Sequence, residues 1–240
     1  MSPVRLLRTA ITKSTPDSWG AYQPPAHRVV ADAHAQGATR IVLPLDRAAR
    51  RSGPPAGASI VDVVRAADLP VLALSPAAPR RFTRVMIVAG LGDASVHAAR
   101  SAAELVREAE LVALVQLRTW DAVPADAARF GVAPGDPAVL APIDAVLALP
   151  ASARVERVAL AGGGPRALVA FAEARGIELI VVPIKGRTPC ERMIVKNAAI
   201  PLLEAAPCSV LVVPPAPAPE RARWAHGVVV AREPSHGSPR

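Results

Sequence analysis

The sequence predicts an α/β protein: a five-stranded, mostly parallel sheet with helices on both faces, preceded by a half-copy of the same unit. Three observations carry this expectation. Short continuous apolar runs bounded by turn residues recur along the 240 residues, as in parallel strands covered on both faces. Between them lie segments with the spacing of amphipathic helices, Val96, Ala99, Ala103 and Val106 on one face for example. Residues 26–76 also align without a gap on residues 165–215, with 13 of 51 positions identical, a register too regular for an Ala/Val-rich coincidence.

Taken in order, residues 1–25 form an N-terminal segment too short to supply the opening elements of a complete unit. Residues 26–80 then read as the half-copy: a helix closed by Gly37, a strand at 41–45, a helix at 60–67 and a strand at 70–74. Residues 83–215 form the complete unit. Its strand at 84–89 leads to an amphipathic helix over 93–109 and a strand at 111–117. The Pro-broken stretch 121–150 contains a short helix at 141–149, and a strand at 155–160 enters the glycines 162–164. Pro165 suits the first position of a helix over 166–175, which Gly176 ends. A strand at 180–184, a helix at 197–206 despite Pro201, and a strand at 209–213 complete the unit. Residues 216–240 are a Pro-rich tail in which 227–231 can add a short strand.

Composition excludes several classes. No apolar run approaches the ~20 residues of a membrane span, and residues 1–14 lack the continuous apolar block of a signal peptide, so a cytoplasmic protein is expected. Two cysteines, Cys190 and Cys208, are too few for a disulfide scaffold. Cys208 reads as a small buried apolar residue; Cys190, among basic residues, is the candidate for a lowered pKa. His27, His34, His97, His226 and His236 are too dispersed for a metal site. The net charge of +8 sits on the repeated parts, yet aromatic residues are only 3%, so no specific nucleic-acid surface is expected. No Ser/His/Asp arrangement nominates a nucleophile and base, and the chain reads as a non-enzyme.

The segments RVMIVAGLGDASVHAARSAAELV, VALAGGGPRALVAFAEARGIELIVVP and IPLLEAAPCSVLVVPP resemble the universal stress protein family, a fold related to the adenine nucleotide α-hydrolases. The likeness is good over 84–215 and weaker over 26–76. It implies a stress-response protein that acts by binding. In nucleotide-binding members the fourth strand enters a loop G-x2-G-x9-G-S/T, whose amides wrap phosphates because no Cβ blocks their approach. The matching positions here are Pro183, Gly186, Lys196 and Asn197, so one glycine survives; the half-copy shows Pro44, Arg47, Gly57 and Ala58. The aspartate that the family places near adenosine falls on Gly90, with Asp93 nearby.

The degraded loop is basic through Lys185, Arg187, Arg192 and Lys196. Two readings stand: a solvated basic loop, or cationic side chains that have taken over anion binding. The anion-binding candidates are therefore Gly90 and Gly92 after the first strand of the unit, Gly163 before Pro165, and Lys185, Gly186, Arg187, Lys196 and Asn197. No cofactor and no tight ATP binding are expected; ATP or AMP is the ligand the alternative reading would take. For partners, the resemblance implies self-association through final strands. Residues 70–74 are expected to dock against 209–213 as an internal pseudo-dimer, or both to pair with another chain as a homodimer. Further protein partners carry no signature in the sequence.

Overall fold

A computed structural model describes residues 9–11, 26–45, 59–90, 93–118, 132–147, 149–161, 164–184 and 199–216. The elements run β1 (Thr9–Ile11), α1 (Ala26–Ala35), β2 (Arg40–Pro44), α2 (Ile60–Ala66) and β3 (Val71–Leu74). There follow β4 (Arg84–Ala89), α3 (Asp93–Ala102), β5 (Leu111–Arg118), β6 (Val132–Pro134), α4 (Pro137–Asp144) and β7 (Arg154–Ala161). The chain then forms α5 (Pro165–Arg175), β8 (Leu179–Pro183), α6 (Ala199–Ala205) and β9 (Ser209–Val213). All strands join one sheet in the order β1-β2-β3-β9-β8-β4-β5-β7-β6. The five strands expected for the complete unit are β4, β5, β7, β8 and β9, mutually parallel; the sheet is larger because the half-copy continues it and β1 and β6 extend its ends.

Alternation along each strand divides the core between two faces. Met86, Val88, Ile180, Val182, Val210 and Val212 point into one cluster with Val29, Val63, Leu168 and Leu203, so that α1, α2, α5 and α6 share this face. Val85, Ile87, Val181 and Leu211 point to the other, where Ala98, Ala99, Leu140 and Ile143 bring in α3 and α4. β4, β8 and β9 are apolar on both sides, as is β5 over Leu111–Val115, and that is why their sequences show continuous runs instead of alternation, whereas β7 carries Arg154, Glu156 and Arg157 and buries only Ala159 and Leu160.

The two related stretches meet within the sheet, with β1, β2 and β3 on one side of the junction and β9 through β6 on the other. Elements α1, β2 and α2 begin 139 residues before α5, β8 and α6, and β3 ends 139 before β9. β3 runs antiparallel to β9 with Val71 opposite Val212, Leu72 opposite Leu211 and Ala73 opposite Val210. Leu72 and Leu211 are equivalent under the repeat, so the local twofold passes between them, normal to the sheet. A twofold in this direction preserves the faces, and the four repeated helices accordingly lie on the same side. Ser209 Oγ accepts from Ser75 N–H (3.1 Å), closing the junction at one end of the pair.

Four features differ from the sequence reading. Residues 9–11 do supply an opening strand: β1 lies parallel to β2 with Thr9, Ala10 and Ile11 opposite Arg40, Ile41 and Val42. β4 stands to β8 in the same register, Val85, Met86 and Ile87 facing Leu179, Ile180 and Val181, so β1 occupies the place of β4. Three residues of backbone pairing leave no readable apolar pattern. The short helix lies at α4, not at 141–149, because Asp136 accepts from Ala138 N–H (2.9 Å) and Pro137 is set in the first turn. α3 is shorter than 93–109, giving way after Ala102 to turns that still bury Val106. β6 adds an antiparallel edge beside β7, a three-residue strand ending in proline that the Pro-rich stretch concealed.

Candidate functional site

Strand order locates the crevice before any side chain is considered. The chain leaves β4 toward β5 on one side and returns to β8 on the other, so the carboxyl ends of β4 and β8 form the switch point where open α/β sheets take ligands. Gly90 follows β4 there, and Ile184, 2% exposed, follows β8 with its N–H on Val213 O (2.8 Å). Gly164, at the carboxyl end of β7 two strands away, opens α5 with φ 51° and ψ −127°, a conformation that glycine tolerates. The topology thus brings the starts of three predicted site segments to one end of the sheet.

Only part of the predicted set lies in the described residues. Gly90 is described; Gly92, Gly163, Lys185, Gly186, Arg187, Lys196 and Asn197 lie outside them, as does Cys190. Gly90 is engaged locally. Its N–H donates to Ser95 Oγ (2.8 Å), and the same hydroxyl donates to Gly90 O (3.2 Å). Ser95 is 2% exposed, one of two buried polar residues among those described. The Gly90 N–H is therefore taken by a side chain of α3, and Gly90 itself brings no carboxylate to this position. Asp93 stands exposed in the first turn of α3, where the helix dipole favours an acid. Pro183 ends β8 without an N–H. These residues do not fit the amide cradle and adenosine-facing aspartate of the nucleotide-binding pattern. Ser95 is a residue the sequence reading passed over; its signal was its position, five residues after the glycine that ends an apolar strand.

Ser95→Ala is expected to cost about 1–3 kcal/mol, because it leaves the Gly90 N–H without its acceptor. Urea denaturation measures this directly, and an unchanged midpoint would show that water replaces the hydroxyl. The remaining polar contacts are structural. Arg40 reaches from β2 to Ser101 O (2.7 Å), where a cation complements a helix C-terminus, and Arg84 Nε reaches Arg175 O (2.7 Å) in the same way. Burial lowers the Arg40 pKa, with Glu104 acting against it. The His97 imidazole is lowered by partial burial and then by Arg100. Glu156 joins Arg154 (2.9 Å) and Arg175 (2.7 Å). Cys208 is 7% exposed. Among the described residues no cluster of histidine, cysteine and carboxylate could hold a metal, and no helix is long and apolar enough to cross a membrane.

Comparison with known proteins follows the same lines as the topology. A sequence model of the Universal stress protein family matches residues 81–214. No curated protein matches the chain. Among solved structures, a universal stress protein from Archaeoglobus fulgidus is similar at 15% identity and TM-score 0.55, over 79% of this chain and 66% of that one. A protein of unknown function from Pseudomonas aeruginosa is similar at 16% identity and TM-score 0.52, over 79% of this chain and 68% of that one. This chain spans about two-thirds of the length of those relatives. Their likeness concerns the fold, while the matched segment takes in β4 through β9 and more than half of the residues. The chain belongs to the universal stress protein family.

Proposed function

We propose that this universal stress protein acts in the cytoplasmic stress response by binding protein partners, without nucleotide turnover and without the family's tight ATP site. The observation that carries the reading is the state of the switch point. Gly90 stands where the family has its aspartate, its amide is held by Ser95, and Pro183 cannot donate. In sequence, Lys196 and Asn197 replace the glycine and hydroxyl residue that would complete a phosphate loop. We also propose that the chain is a tandem member with a truncated first copy. The matched element spacing and the equivalent pairing of β3 with β9 support an internal pseudo-dimer that occupies the family's final-strand edge within one chain.

The second reading is an adenine nucleotide or other phosphate ligand held by Lys185, Gly186, Arg187, Lys196 and Asn197. Four cations, Arg192 among them, against Glu191 in this stretch favour it. Native mass spectrometry of freshly purified protein, followed by denaturation and analysis of released small molecules, separates the two. The expected result is an unliganded monomer. Near-stoichiometric ATP or AMP would overturn the main reading and place phosphate recognition on the cationic side chains, and conversion of added ATP to product would overturn the absence of turnover.

A further inference from the structure

We propose that Arg40 and Ser75 determine what docks on β9: they hold it for the chain's own half-copy against a second copy of the complete unit. The proposal rests on the pseudo-dimer reading and starts from how little the paired strands themselves discriminate. Val71, Leu72 and Ala73 of β3 correspond, 139 residues on, to Val210, Leu211 and Val212 of β9. A second copy that laid its β9 on this β9 about the same twofold would repeat the Val–Val and Leu–Leu pairs and change only Ala73 to valine. One strand further out, β2 reads RIVLP and β8 reads LIVVP. Ile41, Val42 and Pro44 recur, Leu43 becomes valine, and Arg40 is the position that changes class, to Leu179. The apolar ladder is thus nearly the same for either partner.

The polar contacts are not the same. Arg40 Nη2 donates to Ser101 O at the end of α3 (2.7 Å), and Ser75 N–H donates to Ser209 Oγ (3.1 Å); both bonds cross from the half-copy to the unit. The equivalent residues of a second unit are Leu179, which carries no donor, and Pro214, which has no N–H. Ser209 is fully buried, so a partner that brings Pro214 leaves its hydroxyl without this donor. Leu179 is fully buried in the apolar cluster with Val85 and Ile87, so leucine suits this strand position on packing grounds. Arg40 instead buries a guanidinium whose Nε lacks a partner, a desolvation cost for which packing gives no reason. These two departures from the repeat fall where the half-copy touches the unit, and each supplies a donor that a second unit lacks. A competitor is then rejected through the acceptors it leaves unanswered.

The test puts a site-specific protease sequence into the linker between β3 and β4, at the exposed Pro79 and Arg80, so that the folded full chain can be cut and the tether no longer favours the half-copy. Native mass spectrometry then reads what stays on the unit. The cut wild-type protein is expected to keep its half-copy, as a complex of the two pieces. Arg40→Leu combined with Ser209→Ala is expected to weaken that complex at least roughly 100-fold and to yield a dimer of two units. Arg40→Lys, which keeps a donor and a cation at the end of α3, is expected to stay within about 10-fold of wild type. Slow hydrogen exchange of β4, β5 and β8 before cutting shows that each variant folds; if the double variant loses it, Arg40→Leu by itself reads the same dissociation at roughly 10-fold. A double variant that holds its half-copy as tightly as wild type would overturn the proposal, as would a cut wild-type protein that exchanges its half-copy for a second unit. Units that stay single after release would overturn the second copy as the excluded partner. Free-chain exchange of residues 71–74 in the uncut wild type would overturn the pseudo-dimer reading itself, and the proposal with it.

Discussion

Leu72→Lys is expected to lower stability by at least about 4 kcal/mol, a loss built from the missing leucine contacts and the ammonium placed in an apolar layer. Leu72 is 6% exposed and sits directly opposite Leu211, which is fully buried. Both belong to the cluster that includes Val85, Ile87, Val181 and Val213. A domain of this kind has about 5–15 kcal/mol in all, so the variant stands near the limit of folding. Leu211→Lys is expected to cost more, because α3 packs over β9 on that face. The pair Leu72→Lys with Leu211→Glu is expected to recover part of the sum of the two single losses, since directly opposed residues of an antiparallel ladder interact. Urea midpoints give each leg of this cycle. Midpoints unchanged by Leu72→Lys, with unaltered native mass, would mean that β3 and β9 do not pair in solution.

Glu178→Ala is the second large effect, expected at about 3 kcal/mol. Glu178 Oε2 accepts from Thr83 N–H (2.6 Å), Arg84 N–H (3.1 Å) and Thr83 Oγ1 (3.2 Å). Its own N–H donates to Arg84 O (2.8 Å), and its carbonyl accepts from Ser209 N–H (3.2 Å). One residue thus aligns the beginnings of β4, β8 and β9. Hydrogen bonds to an ionised acceptor are worth about 1.5–3 kcal/mol, and alanine leaves two backbone donors unanswered. Glu178→Gln keeps an acceptor oxygen and is expected to cost about 1 kcal/mol. Thermal unfolding of the two variants separates the carboxylate from simple bulk: equal losses would mean that the side chain acts by packing, and no loss in either would remove its role in strand alignment.

Legibility followed the length of the pattern. The buried strands β4, β5, β8 and β9 were readable because both faces demand apolar residues over about five consecutive positions, and β7 was readable from the shorter apolar run at its end, where Ala159 and Leu160 are buried. Helix α5 was readable from Pro165 at its start and Gly176 at its end, where φ 57° and ψ 41° give the left-handed cap. β1 and β6 were not, since three residues of ladder pairing need no characteristic composition. At the candidate site, the mismatch of Pro183 and Gly90 with the family pattern was visible in the sequence. The engagement of Gly90 by Ser95 was not, because a serine in a helix's first turn reads the same whether its hydroxyl faces solvent or closes the preceding turn.

The sequence by itself determined the α/β class, the alternation of helix and strand, and the turn residues that end its elements. Each of these is a local property, written in periodicity or in residue type. Tertiary structure alone decided that nine strands form one sheet, that Leu72 meets Leu211 across a local twofold, and that β1 takes the position of β4. Strand neighbours are chosen by ladder pairing between distant segments, and a backbone hydrogen bond leaves no mark on the identity of the residue that makes it.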